Sequence, residues 1–206
     1  MKILYFAAAI LIVISIHEAA HALIAYKLGD PTAKQRGRLT LNPLAHLDVI
    51  GTLMIFIVGI GWGKPVPVNP RNFSDPVRAS ALTSLAGPVS NFLTAMLLAI
   101  PLKYFVNDMP EPLYILVLTV FDLSILLGLF NMLPFPPLDG SKILGLFVPR
   151  RYEREYMNFL ETGLQYFVIF LVIDFFVLGR FFDFSILGFT IGSAFSFLKS
   201  LILFGV

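Results

Sequence analysis

Five apolar runs punctuate the chain, at about 3–26, 79–106, 112–133, 157–178 and 184–206, with polar residues gathered between them. Each run is near or above the roughly 20 residues that an α-helix needs to cross the hydrocarbon core of a bilayer. A sixth run, 49–60, is different. It is short, it carries Gly51 and Gly59, and it is bounded by Asn42-Pro43 before it and Gly61-Trp62-Gly63-Lys64-Pro65 after it. A segment of that length does not span comfortably, so it is expected to re-enter the membrane or lie at its surface. Around it, Arg38 to Leu41 and Pro65 to Val68 alternate apolar and polar or proline positions in a way that suits short strands. The pattern therefore predicts an all-α polytopic membrane protein with five or six transmembrane helices and a short re-entrant segment. It leaves room for a small β hairpin between the first two core helices. Neither an internal repeat nor a linker interrupts the pattern, and a single domain over 1–206 is expected.

Composition agrees with a membrane location. Hydrophobic residues make up 57%, charged residues 14%, and mean hydropathy is +0.84. A soluble chain of 206 residues needs more polar surface than this. A net charge of +2, with no run of like charges, argues against a nucleic-acid partner and leaves the lipid bilayer as the expected surroundings. The absence of cysteine removes disulfides and thiolate metal sites, so any metal must be held by His, Asp or Glu. The N-terminal run follows Lys2 as a signal peptide would. It ends in charged residues with no small-residue cleavage site after it, and it is read as a retained helix.

Basic residues orient the bundle. If 49–60 does not cross, twelve of the fifteen Lys and Arg fall on one side, leaving Lys2, Lys103 and Arg180 on the other. If it crosses, the split is nine to six. The positive-inside rule favours the first arrangement, with the N-terminus outside and the C-terminus in the cytoplasm.

Chemistry concentrates in the first run, at His17-Glu18-Ala19-Ala20-His21. Residues four apart share one face of a helix about 6 Å apart along its axis, so both imidazoles can reach one Zn²⁺. Glu18 then stands beside the open coordination position, placed to act as general base and acid for a zinc-activated water. A pairing by chance is the bland alternative, but ionisable groups in an apolar span are costly and need partners. A catalytic zinc site wants a third protein ligand. Asp139 is the distant candidate, in Asn131-Met132-Leu133-Pro134-Phe135-Pro136-Pro137-Leu138-Asp139-Gly140. Three prolines must break the helix there, and irregular backbone at membrane depth is tolerated where it is buried or lines a watery cavity. A capping role for Asp139 on a helix over 141–148 is the competing reading. Asn131 and Asn91 are candidates for binding substrate or a developing oxyanion, with helix packing as the alternative for both. His46 is a possible accessory metal ligand or an ordinary loop histidine. Asp122 and Asp174 are further polar residues within apolar runs.

These motifs resemble the site-2 protease family of intramembrane zinc metallopeptidases. The resemblance rests on His17-Glu18-x-x-His21, on Ala86-Gly87-Pro88-x-x-Asn91 and on Asn131-x-x-Pro134-x-Pro136-Pro137-Leu138-Asp139-Gly140, in the family's order. The segments Asn42 to Asp48 and Gly61 to Pro70 resemble the branch without appended PDZ or CBS domains. The family implies His17, His21 and Asp139 as zinc ligands, Glu18 as the catalytic acid/base, and a water-filled cavity within the bilayer that opens towards the cytoplasm. Its substrates would be single-span membrane proteins. A metal-ion transporter using the same His/Asp constellation is the alternative from another class. Transport, however, commonly comes with inverted repeats and has no use for Glu18.

Overall fold

The computed structural model describes residues 2–48, 51 and 63–204. The segment 49–60, expected to re-enter the membrane or lie at its surface, falls outside these apart from residue 51. Helix α1 runs Lys2–Lys27 and is followed by two single turns, α2 (Thr32–Gln35) and α3 (Pro43–His46). The long helix α4 (Pro76–Tyr104) starts at Asp75, whose carboxylate accepts the Arg78 N–H, with Pro76 at the first helical position. Then come α5 (Glu111–Asn131), the short α6 (Asp139–Ile143), α7 (Glu153–Val172), a π-helical stretch over 173–178, α8 (Gly179–Phe182) and α9 (Ile186–Ile202). Among the described residues, four helical stretches are long and apolar enough to cross a membrane, at 3–27, 76–104, 111–131 and 150–182. The fifth expected span appears as the 17-residue α9. Among the described residues no strand forms, so the hairpin for which the sequence left room is not found there.

Helices α1, α4 and α5 pack on one another through small residues. Ala9 and Val13 of α1 meet Val120 of α5, while Ala95, Ala99 and Leu102 of α4 meet Phe121 and Ile125 of α5. Alanine at these positions lets backbones approach closely, which is how helices gain dispersion energy where lipid removes the usual hydrophobic drive. Buried positions of α1 recur at 9, 13, 17, 21 and 25. The four-residue step therefore carries His17 and His21 onto the face that packs against the bundle.

The two isolated acids of the apolar runs find partners from the last helix. Asp174 accepts from Ser185 Oγ at 2.6 Å and from the Ile186 and Leu187 N–H groups, anchoring the start of α9. Asp122 of α5 pairs with Lys199 of α9 at 2.7 Å. Removing one partner leaves an uncompensated charge in lipid, so Lys199→Leu alone is expected to cost roughly 1–3 kcal/mol of stability in detergent unfolding. The double change Asp122→Leu/Lys199→Leu should be less harmful than either single change. A double mutant less stable than both would contradict this.

Past α1, Asp30 organises the loops. Its buried carboxylate accepts from Thr32 N–H and Oγ1, from Asn69 N–H and from Asn72 Nδ2. Burial opposes the charge, but these donors hold Asp30 below the ordinary carboxylate range. The extended segment 63–69 thereby runs alongside α1 in the same direction, with Gly63 against Ile14 and His46, Val66 at Glu18 and Asn69 at Asp30.

Candidate metal centre

The expected convergence of α1 with the proline-broken end of α5 is found. After Asn131 the chain turns through 132–138, and Asp139 enters as the first residue of α6. Its carboxylate caps nothing, since Leu138 holds the cap position without a side-chain bond. Instead Asp139 Oδ2 lies 3.1 Å from His17 Nε2 and 3.2 Å from His21 Nε2, and the two Nε2 atoms are 3.0 Å apart. All three side chains are buried. Gly140 makes the turn possible, because a Cβ there would sit 2.3 Å from the carbonyl oxygens of Met132 and Leu133. Gly163 of α7 does the same for Pro136, whose ring fills the space a side chain would need.

Hydrogen bonding at the far side of each ring fixes what points inward. The Thr83 carbonyl lies 2.7 Å from His21 Nδ1. A carbonyl only accepts, so Nδ1 carries the hydrogen and the neutral ring's Nε2 offers a lone pair to the centre. Asn91, fully buried on α4, faces His17 Nδ1 at 3.2 Å through its amide nitrogen, while its Oδ1 has no partner among the described residues. A half-turn of the amide puts Oδ1 on Nδ1–H and frees His17 Nε2 in the same way. Two imidazole lone pairs and a carboxylate oxygen within this distance repel unless a cation sits among them.

These distances fit zinc. Ligands placed tetrahedrally at about 2.0–2.1 Å from a Zn²⁺ stand about 3.4 Å apart, and the observed triangle is only slightly smaller. Nitrogen and oxygen donors in a set of three leave the fourth position open, as a hydrolytic site needs.

Helix α4 closes the centre from behind, and Gly87 is what allows it. A Cβ on Gly87 would lie 2.5 Å from Cε1 of His17 and from Cε1 and Nε2 of His21. The Gly87-Pro88-x-x-Asn91 motif thus brings a bare patch of backbone and one amide to the two imidazoles. Glu18 stands outside the triangle, half-buried, and its Oε2 accepts the Val66 N–H at 2.8 Å.

The remaining sequence candidates fall elsewhere. Asn131 donates from Nδ2 to the Leu127 carbonyl of its own helix. His46 is buried in the loop, its Nε2 2.8 Å from the Thr40 carbonyl, and it is not part of the triangle. Three residues around the site carry no signal in the sequence. Thr83 and Val66 act through their backbone, which no side-chain pattern reveals. Arg38, the third, is a buried cation in a loop, and its burial was invisible in a turn-rich stretch.

A buried His-His-Asp triangle that could hold a divalent metal, set among helices apolar and long enough to cross a membrane and beside the carboxylate of Glu18, belongs to an integral multi-pass membrane protein. The profile of peptidase family M50 matches residues 107–174, which include Asp139 and the broken helix. The chain is 39% identical over 181 residues to "Putative zinc metalloprotease YwhC" of Bacillus subtilis, covering 82% of this chain and 79% of that one. It is 30% identical over 169 residues to "Putative zinc metalloprotease Rip2" of Mycobacterium tuberculosis, of whose length it spans 64%. No solved structure matches the chain at the same stringency. The chain belongs to peptidase family M50, the site-2 protease family that its motifs resemble, and is a metallopeptidase of that family.

Proposed function

We propose that His17, His21 and Asp139 hold a catalytic Zn²⁺, and that with Glu18 they hydrolyse a peptide bond in the transmembrane segment of a single-span membrane protein. The observation that carries this reading is the three-atom triangle of 3.0–3.2 Å beside a carboxylate that does not join it. Zinc in that triangle supplies a Lewis acid that polarises the scissile carbonyl and makes a water acidic near neutral pH.

This chain's own groups supply the rest. Glu18 takes a proton from the attacking water as its oxygen bonds to the carbonyl carbon. The same carboxyl then gives the proton to the departing nitrogen as the C–N bond breaks, releasing an amine and a carboxylate. Asn91 and Thr83 position His17 and His21. Asn131, its amide nitrogen engaged by Leu127, has its oxygen left to accept a substrate N–H. His46 belongs to the loop that frames the site. The loops beside the triangle carry most of the basic residues, which supports an N-terminus outside and an active site towards the cytoplasm. The C-terminus, expected on that same side, instead meets Lys103 at the far end of α4 through the Phe204 carbonyl. The relatives carry protease names, and nothing in the comparisons favours transport.

The test is purified protein in detergent with a single-span substrate. One zinc per chain and a discrete product are expected. Stripping the metal with a chelator should remove the activity, and zinc should restore it. Cleavage that continues at the same rate in stripped protein would rule the reading out.

A further inference from the structure

Arg38 has no place in the chemistry above, yet it is 6% exposed and both terminal nitrogens of its guanidinium are bonded to backbone, while its Nε has no partner among the described residues. Nη1 donates to the Ala45 carbonyl, and Nη2 donates to the carbonyls of Lys64 and, at 3.1 Å, Pro65. The loop it grips is closed further by Lys64 N–H on the His46 carbonyl at 2.9 Å, and by His46 on Thr40. Immediately after the two clamped carbonyls comes Val66, whose N–H meets Glu18. Pro65 and Pro67 flank it and have no N–H. Val66 is therefore the one backbone donor between 65 and 67, and it is spent on Glu18. Those prolines also leave the opposite edge of the segment without donors at 65 and 67, which disfavours pairing with an extended substrate there. Glu18 and Arg38 also feel one another: burial draws the guanidinium below its ordinary range, and the Glu18 charge works against that shift.

We propose that Arg38 is a positioning residue for the catalytic carboxylate, clamping the Lys64–Pro65 carbonyls so that the Val66 N–H holds Glu18 Oε2 and leaves Oε1 aimed at the water. The planar fork of arginine suits this role, because it can bind several carbonyls in a fixed geometry where a lysine ammonium is a mobile point charge. Glu18, a carboxylate on a flexible stem, otherwise has several rotamers open to it. Misplacing a catalytic group by about 1 Å can cost about 10²-fold in rate.

The inference rests on the proposed role of Glu18, and the test separates the two. In the full-length protein, Arg38→Gln is expected to lower kcat by roughly 10–100-fold while KM changes less than about twofold, with one zinc per chain retained. Val66→Pro, which deletes the N–H without touching Arg38, should lower kcat similarly. Because both act through one hydrogen bond, the double mutant should be no slower than the slower single mutant. Arg38→Lys should behave like Arg38→Gln. Amide hydrogen exchange of residues 63–69, measured without substrate, should quicken in Arg38→Gln and thus reads the clamp independently of turnover. Wild-type kcat in Arg38→Gln, multiplicative losses in the double mutant, full rescue by lysine, or loss of zinc with Arg38→Gln would each overturn the proposal. If instead Glu18→Gln cleaves as fast as wild type, the role of Glu18 fails first.

Discussion

Glu18→Gln is expected to reduce cleavage by about 10²–10⁴-fold or more while leaving zinc binding unchanged. The two effects separate because Glu18 is outside the triangle of His17, His21 and Asp139. Glutamine has the same length and shape, and its carbonyl oxygen can still accept the Val66 N–H, so the 63–69 segment keeps its anchor. What it cannot do is take up a proton. Metal content measured on the purified variant, together with single-turnover cleavage of a transmembrane substrate, reads both halves. Residual activity within tenfold of wild type would mean that another group serves as base. Loss of zinc would mean that Glu18 supports the centre directly.

Gly87→Ala should be nearly as damaging through the opposite route, by emptying the centre. The new methyl would lie 2.5 Å from three ring atoms, about 1 Å inside ordinary contact. Helix α4 cannot retreat, because Ala95, Ala99 and Leu102 hold it against α5. The imidazoles must turn away, which separates the two Nε2 atoms and breaks the contacts with Thr83 and Asn91. Zinc affinity is expected to fall at least about 100-fold, more than the 10–100-fold typical of losing an outer-shell partner alone. Helix propensity runs the other way, since alanine is favoured over glycine by about 1 kcal/mol within a helix. Gly192→Ala in α9, where a Cβ meets nothing within 4 Å, is the control and should leave zinc and activity intact. Competition with a chromophoric chelator measures the affinities. Wild-type affinity in Gly87→Ala would show that α4 does not press on the imidazoles.

Much of this protein is legible along the chain. Apolar length marks the four long helical stretches, because a bilayer imposes one length scale on every crossing segment. The four-residue spacing of His17 and His21 puts both imidazoles on one helical face through local geometry alone. Three prolines at 134–137 foretell a broken helix end, because proline has no N–H to give. The partners of Asp122 and Asp174 were not legible. Lys199 is 77 residues from Asp122, and nothing local to either residue specifies the other.

The tertiary structure decided which candidates meet. It brought Asp139 to the histidines and turned Asn91 onto His17. Asn131 was given to its own helix, and His46 to a loop. It also supplied the backbone atoms of Thr83 and Val66, which belong to every residue alike and acquire meaning only from what lies opposite them. Helical periodicity and membrane length act between near neighbours, so they are written in the order of residues. The triangle of His17, His21 and Asp139 depends on distances between remote segments, and those are fixed only when α1, α4 and α5 pack.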